Sequence, residues 1–400
     1  MAYLIHAKHS FTNTLIALFV SSFITFADIY SIQPLLPVFI KYFNISVALS
    51  GLAISITIIA IAVSLLIYGP LSDSIGRKNI MSFVLFISVL PMVLAGMSNS
   101  YHFLLIMRFF QGLLLGGIQS IAMAYIGEEI EKNSLPLAMG LFVSGNSIGG
   151  MAGRIISGYI EELLSWHYVF FIFAFLNLIG AVIFILLLPE SKNFHPTRFN
   201  IKTALSDMAK HLKKPALILG FVLGFCLMFN FVGVFNFVGF KLSSPPYNLG
   251  SAQIGWIYLT YLAGTFSSAY SGSLYKKMGI PKTLIFDCII GIIGISLTYI
   301  NNLFFFVLGL LFFCFGFFGA HSSACSWVSL HAKEAKGSAS SLYLIFFYIG
   351  GGLGGVALGL LYSKFYWHGV IVGVIIMFLL ISFLSKIMRD FVNKNIIRHF

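Results

Sequence analysis

Twelve times along this chain the sequence runs apolar for about twenty residues, at roughly 12–36, 48–70, 80–97, 102–126, 135–159, 166–188, 214–239, 252–274, 282–299, 303–328, 338–362 and 366–388. A helix of that length rises far enough to cross about 30 Å of hydrocarbon, where every backbone N–H and C=O needs a partner within the element. The pattern therefore predicts an all-α membrane protein with twelve transmembrane helices. Composition agrees: 59% of residues are hydrophobic and 9% charged, against about 25% charged in soluble domains. The first run is too long, and too polar in its middle, for a signal peptide.

Basic residues near span ends tend to stay cytoplasmic. With the N-terminus inside, most of the 24 Lys and Arg fall on inner loops and tails, so both termini are expected in the cytoplasm. The net charge of +12 is spread over short loops with no basic domain, which reads as a topology signal facing anionic headgroups and excludes a nucleic-acid partner. Cys226, Cys288, Cys314 and Cys325 all fall inside spans, show no metal spacing, and read as small apolar fillers.

One extended polar segment, PESKNFHPTRFNIKTALSDMAKHLKK, interrupts the spans. It divides the chain into a six-helix bundle at 1–188, a cytoplasmic linker at 189–213 and a second six-helix bundle at 214–400. Ala204, Met208 and Leu212 recur at helical spacing within it, which predicts a short helix at the membrane surface. The halves repeat one another. Gly69-x-Leu71-x4-Gly76 returns as Gly272-x-Leu274-x4-Gly279, and Gly149-Gly150 returns as Gly354-Gly355. A duplicated six-helix unit with two pseudo-symmetric halves follows.

Between spans two and three stands GPLSDSIGRKNI. Gly69, Leu71, Ser72, Asp73, Gly76, Arg77 and Lys78 resemble, in type and spacing, the loop signature of the major facilitator superfamily. Gly76 would permit the tight turn into span three. Arg77 has candidate partners in Glu128, Glu129 and Glu131 at the inner end of span four. The resemblance implies that this cluster is a cytoplasmic gate that latches two bundles in the outward-open state.

Three more matches follow. Arg108-Phe-Phe-Gln111-Gly112 in span four is similar to the R-x-x-Q-G motif of that superfamily. Gly140-x4-Gly145-Asn146-x2-Gly149-Gly150-x2-Gly153-Arg154 in span five resembles its antiporter motif, with Asn146 where that motif has a proline. Its glycines would pack span five tightly on a helix of the other bundle. Gln33-Pro34-x2-Pro37 resembles the end of span one in drug:proton antiporters, which carry an acidic residue shortly before such a proline pair. Here that residue is Asp28.

A charged side chain at the bilayer centre is costly and faces a cavity or a partner. Asp28 falls near mid-bilayer, and Ser21, Thr25, Asp28 and Ser31 share one helical face, expected to line water. Asp28 is the candidate proton or cationic-substrate site, with Arg108 as the charge that tunes it and Arg154 as a second buried cation. Gln33, Gln119, Asn230, Asn236, His321 and Tyr343 are further cavity candidates. Asp287 is expected to be structural.

No phosphate-binding loop, zinc-type cluster or nucleophile elbow is present, so the chain reads as no enzyme and as needing no cofactor beyond a proton gradient. The resemblance covers essentially the whole chain and is greatest to bacterial twelve-helix drug:proton antiporters of the arabinose-efflux permease type. It implies a monomeric, multi-pass transporter of the bacterial inner membrane that exports a small organic solute by proton antiport with alternating access. Its partners would be a small-molecule substrate, protons and the lipid bilayer. The main rival is a proton-coupled uptake symporter for an amino acid, sugar or organic anion; a non-transporting sensor is a third reading.

Overall fold

Each apolar run becomes helix because nothing else satisfies its backbone in hydrocarbon. The computed structural model describes residues 8–131, 133–194 and 201–397, and among the described residues every regular element is helical. In chain order these are α1 (Lys8–Tyr30), α2 (Leu36–Phe43), α3 (Val47–Ser50), α4 (Leu52–Ile75), α5 (Arg77–Ile87), α6 (Val89–Gly96), α7 (Tyr101–Glu129), α8 (Leu135–Leu163), α9 (Trp166–Leu187) and α10 (Ile201–His211). There follow α11 (Pro215–Ser243), α12 (Ser251–Ile257), α13 (Leu262–Met278), α14 (Ile280–Leu297), α15 (Leu303–His331) and α16 (Lys336–Ile397).

Breaks inside the expected spans have local causes. Pro34 cannot donate to Tyr30, so α1 ends there and a single 3-10 turn, Gln33–Leu35, leads into α2. Pro91 likewise cannot donate to Ile87, and α5 gives way to α6 at Ser88. The helix α16 carries non-helical dihedrals at Tyr366 (φ 52°, ψ −145°), which separate its two halves. The motif expected as a loop is helix as far as Ile75. Only Gly76 turns, at φ 114° and ψ 146°, a region in which a side chain would be strained. Gly279, its repeat in the second half, also has positive φ, 83°.

Among the described residues, nine helical stretches are long and apolar enough to cross a membrane. One of them, Gly337–Phe391, takes in both expected spans eleven and twelve, while α8 and the stretch from α12 to α13 fall outside the nine.

The chain forms two compact units. One comprises the described residues of Met1–Asn44, Ile56–Ala204 and Gly250–Trp256; the other comprises those of Ile45–Ser55, Leu205–Leu249 and Ile257–Phe400. In the first, α1 packs on α8 and α9, α6 on α9 and α7, and α5 on α7. Its core includes Met81, Val84, Leu85, Ile118, Tyr125, Phe142 and Phe184. In the second, α11 packs on α16 and α15, α14 on α15 and α16, and α3 on α16.

Glycines close a helix pair in each unit, with Gly149 and Gly153 matched by Gly350 and Gly354 rather than by the Gly354-Gly355 pair of the sequence repeat. A Cβ on Gly149 would stand 2.7 Å from both Cα and the carbonyl carbon of Phe23, and one on Gly153 2.7 Å from Cα of Ala27. Gly350 and Gly354 meet the backbone of Phe225 and Phe229 at 2.6–2.7 Å in the same manner. The antiporter-like glycines therefore close α8 onto α1 of their own unit, contrary to the expectation of a helix from the other half. Within the same unit Gly158 meets α12, where its Cβ would lie 2.9 Å from the carbonyl carbon of Ser251. Gly355 faces Asn236, with Nδ2 at 2.8 Å from the Cβ position.

Candidate functional site

Ending α1 at Tyr30 exposes carbonyls that a longer helix would have paired. Arg108 of α7 takes them. Its Nη1 donates to the carbonyl of Asp28 (3.2 Å) and to Gln111 Oε1 (2.5 Å), and its Nη2 donates to the carbonyl of Ile29 (2.8 Å). A cation at a helix C-terminus is favoured by the macrodipole. Gln111 in turn approaches Met92 Sδ at 2.9 Å. Gly112, next in the motif, lets α7 close on α4, since a Cβ there would lie 2.9 Å from the carbonyl carbon of Thr57.

The Asp28 carboxyl has a different neighbour. Its Oδ2 accepts a hydrogen bond from Asn177 Nδ2 of α9 (2.9 Å), and Asn177 also donates to Ser88 Oγ (2.8 Å) at the α5–α6 break. Asp28 Oδ1 has no hydrogen-bond partner among the described residues. Asp28, Asn177 and Arg108 all have 0% exposure. Ser21, Thr25 and Ser31 are equally buried, so the polar face of α1 does not line water in this conformation. The reason lies in direction: that face turns toward α9 and the α5–α6 break, and the three hydroxyls satisfy themselves on their own helix through the carbonyls of Leu18, Ser21 and Asp28.

Arg154 of α8 forms a second buried cluster. Its Nε donates to Gln33 Oε1 (2.6 Å), its Nη1 to the carbonyl of Gly150 (2.5 Å), and its guanidinium lies 4.2 Å from the centroid of the Tyr30 ring. Deeper along the same helices, Gln119 and Asn146 exchange amide hydrogen bonds at 3.0 and 3.2 Å, and Ser22 Oγ donates to Asn146 and to the Phe142 carbonyl. Asn146, the departure from the antiporter motif, thus ties α8 to α7 and α1.

Where α5 begins and α7 ends, Arg77 Nε and Nη2 donate to Glu128 Oε2 (3.2 Å) and Oε1 (2.7 Å), a bidentate pair of the strong kind, and Nη1 donates to Ser72 Oγ. Lys78 pairs with Glu190 at 3.3 Å. Glu129 is buried and holds the segment after α9, accepting from the backbone N–H of Asn193 at 2.8 Å. The Tyr125 hydroxyl donates to the Pro189 carbonyl at 3.0 Å. Leu71 packs against the core beside them. The side chains at Gly69 and Asp73, and the linker residues 195–200, lie outside those described. Beyond them α10 buries Met208 and brings His211 Nε2 to 3.2 Å from the Ala335 carbonyl. On its outer face Asp207 bonds Lys210 at 2.8 Å, and this hydrogen bond and charge raise the pKa of the Lys210 ammonium.

In the second unit, Asn230 is buried and donates to the Val374 carbonyl (3.3 Å), and Asn236 is buried beside Gly355. His321 and Tyr343 are brought together, Nδ1 to hydroxyl at 2.8 Å. Asp287 accepts from Ser271 Oγ at 3.0 Å between neighbouring helices. Sequence reasoning missed Asn177, although a single Asn within the apolar run of α9 was the available signal. Among the described residues no three His, Cys, Asp or Glu side chains gather to hold a metal.

Comparison with known proteins agrees with this architecture. The profile of the Major Facilitator Superfamily matches residues 18–343. An uncharacterized MFS-type transporter of Bacillus subtilis, YybF, is 40% identical over 382 residues, covering 96% of this chain and 94% of its own. The inner membrane transport protein YnfM of Escherichia coli is 38% identical over 360 residues, covering 90% and 86%. Among solved structures, a bacterial homolog of the human lysosomal transporter Spinster, inward-facing and unoccupied, superposes with a TM-score of 0.77 at 16% identity, covering 96% of this chain and 97% of that one. A mutant of the nucleoside transporter NupG gives 0.76 at 16% identity, covering 94% and 99%; these two likenesses speak for the fold. The chain belongs to the major facilitator superfamily. It is a membrane transporter rather than an enzyme, and a multi-pass protein of the bacterial inner membrane.

Proposed function

We propose that this transporter exports a small organic solute by proton antiport, with alternating access between two six-span halves at 1–188 and 214–400 joined by the linker at 189–213, and with both termini cytoplasmic. The apolar runs, the basic inner loops and the duplicated glycine patterns support that layout. The observation that carries the coupling is Asp28. A carboxyl group with no access to water, one oxygen bonded to a neutral amide and the other without a partner, is costly as a bare anion. A proton on the carboxyl, or a cation beside it, removes that cost.

Arg108 is anchored to the last carbonyls of the same helix. Any shift of α1 against α7 therefore moves a guanidinium relative to the Asp28 carboxyl and changes its hold on a proton. Arg77 with Glu128, and Glu129 with Asn193, act as the gate that fastens the inner ends of the spans and the start of the linker. Arg154 with Gln33 and Tyr30 sets the end of α1. The substrate belongs to the drug-like or small-metabolite class.

The direction of flux tests this reading. In everted membrane vesicles carrying the transporter and energised to an acid interior, a transported compound should accumulate inside and dissipate the pH gradient. Accumulation in intact cells driven by an inward proton gradient would instead establish the uptake symporter.

A further inference from the structure

One turn of α15 sets an imidazole against a thiol. His321 Nε2 lies 3.8 Å from Cys325 Sγ, and residues four apart share a helix face. The other ring nitrogen is held 2.8 Å from the Tyr343 hydroxyl of α16. The ring plane is fixed as well, parallel to Phe317 (3° between planes, centroids 6.0 Å apart) and against Phe347 (4.6 Å). Metal-binding histidines have their second ring nitrogen tied to an oxygen partner that sets tautomer and orientation. Here Tyr343 holds that position, and the other ring nitrogen, Nε2, is the one that faces the thiol.

The distance suits a shared ion. Imidazole and thiolate bind zinc-like cations at about 2.1 and 2.3 Å, so donors 3.8 Å apart subtend an angle of about 120° at one ion between them. Both His321 and Cys325 are half-buried, so neither donor is fully enclosed by its neighbours. Soft donors of this kind favour d10 cations over Mg2+ or Ca2+. The pair belongs to the second half alone: α7 and α15 are each 29 residues long, and the positions matching His321 and Cys325 in α7 are Gln119 and Met123. Gln119 is engaged with Asn146.

We propose that His321 and Cys325, with Tyr343 orienting the imidazole, form a binding site for a divalent d10 cation such as Zn2+ or Cd2+. On binding, the Cys325 S–H bond breaks, its proton leaves to water, and a sulfur–metal bond forms with no change of oxidation state. The site stands apart from Asp28 and does not depend on the export reading.

Titration of the purified full-length chain, without a histidine tag, with Cd2+ alone tests the site through metal stoichiometry and thiolate-to-metal ultraviolet absorption. One Cd2+ per chain is expected. Cys325→Ser should abolish the absorption, and Tyr343→Phe should weaken binding by about 10–100-fold. The triple variant Cys226→Ser, Cys288→Ser, Cys314→Ser should bind as the parent does. An undiminished absorption in Cys325→Ser, or equal affinity in His321→Gln, overturns the proposal. Should those variants fail to fold, maleimide labelling of the unmodified chain decides: protection of Cys325 by Cd2+ supports the site, and unchanged labelling at saturating Cd2+ refutes it.

Discussion

Substituting Gly149 by alanine probes the contact on which the first unit is built. The added methyl would lie 2.7 Å from two backbone carbons of Phe23, against about 3.5 Å for ordinary carbon contact. The helices α8 and α1 must then separate by roughly 1 Å, since backbone cannot rotate away as a side chain can. A gap of that size forfeits a quarter to a half of the attraction of each facing atom pair, and overpacking of this kind costs about 1–3 kcal/mol. Gly140 supplies the control on the same helix, because a Cβ there meets nothing within 4 Å. Thermal unfolding in detergent, followed by tryptophan fluorescence, should show Gly149→Ala well below the parent and Gly140→Ala at or above it. Equal midpoints for the two variants would refute the close-packing account.

Two further outcomes follow from the polar contacts. Arg77→Gln removes a bidentate pair whose arginine is 8% exposed and whose glutamate is 34% exposed, so a loss of about 1–3 kcal/mol is expected; Arg77→Lys should restore only part, because an ammonium lacks the fork, and full recovery would argue against the geometry. Asn177→Leu leaves the Asp28 carboxyl without its amide donor and should cost about 1–3 kcal/mol. A double-mutant cycle with Asp28→Leu should show coupling of about 1 kcal/mol, and simple additivity would deny the contact.

Much of the fold could be read from the sequence because hydrocarbon leaves the backbone few choices. Runs of apolar residues marked the helices and Gly76 a turn directly, whereas the break before Pro34 fell inside an expected span. Partners were harder. Glu128 could be named for Arg77 only as one of three candidates with Glu129 and Glu131, and nothing in a one-dimensional pattern tells whether Arg108 meets the carboxyl of Asp28 or the carbonyl beside it. Asn177 escaped for the same reason: its role depends on which face α9 turns to α1. The glycines of α8 announced close packing and left the identity of the partner open, since a small-residue stripe is complementary to any helix backbone.

The measurement that bears most directly on coupling is proton movement driven by a transported compound in proteoliposomes, compared between the parent and Asp28→Asn. The neutral amide keeps the shape and can still accept from Asn177, so the variant should fold, insert and bind the compound while moving no protons. Proton flux from Asp28→Asn equal to that of the parent would contradict the account.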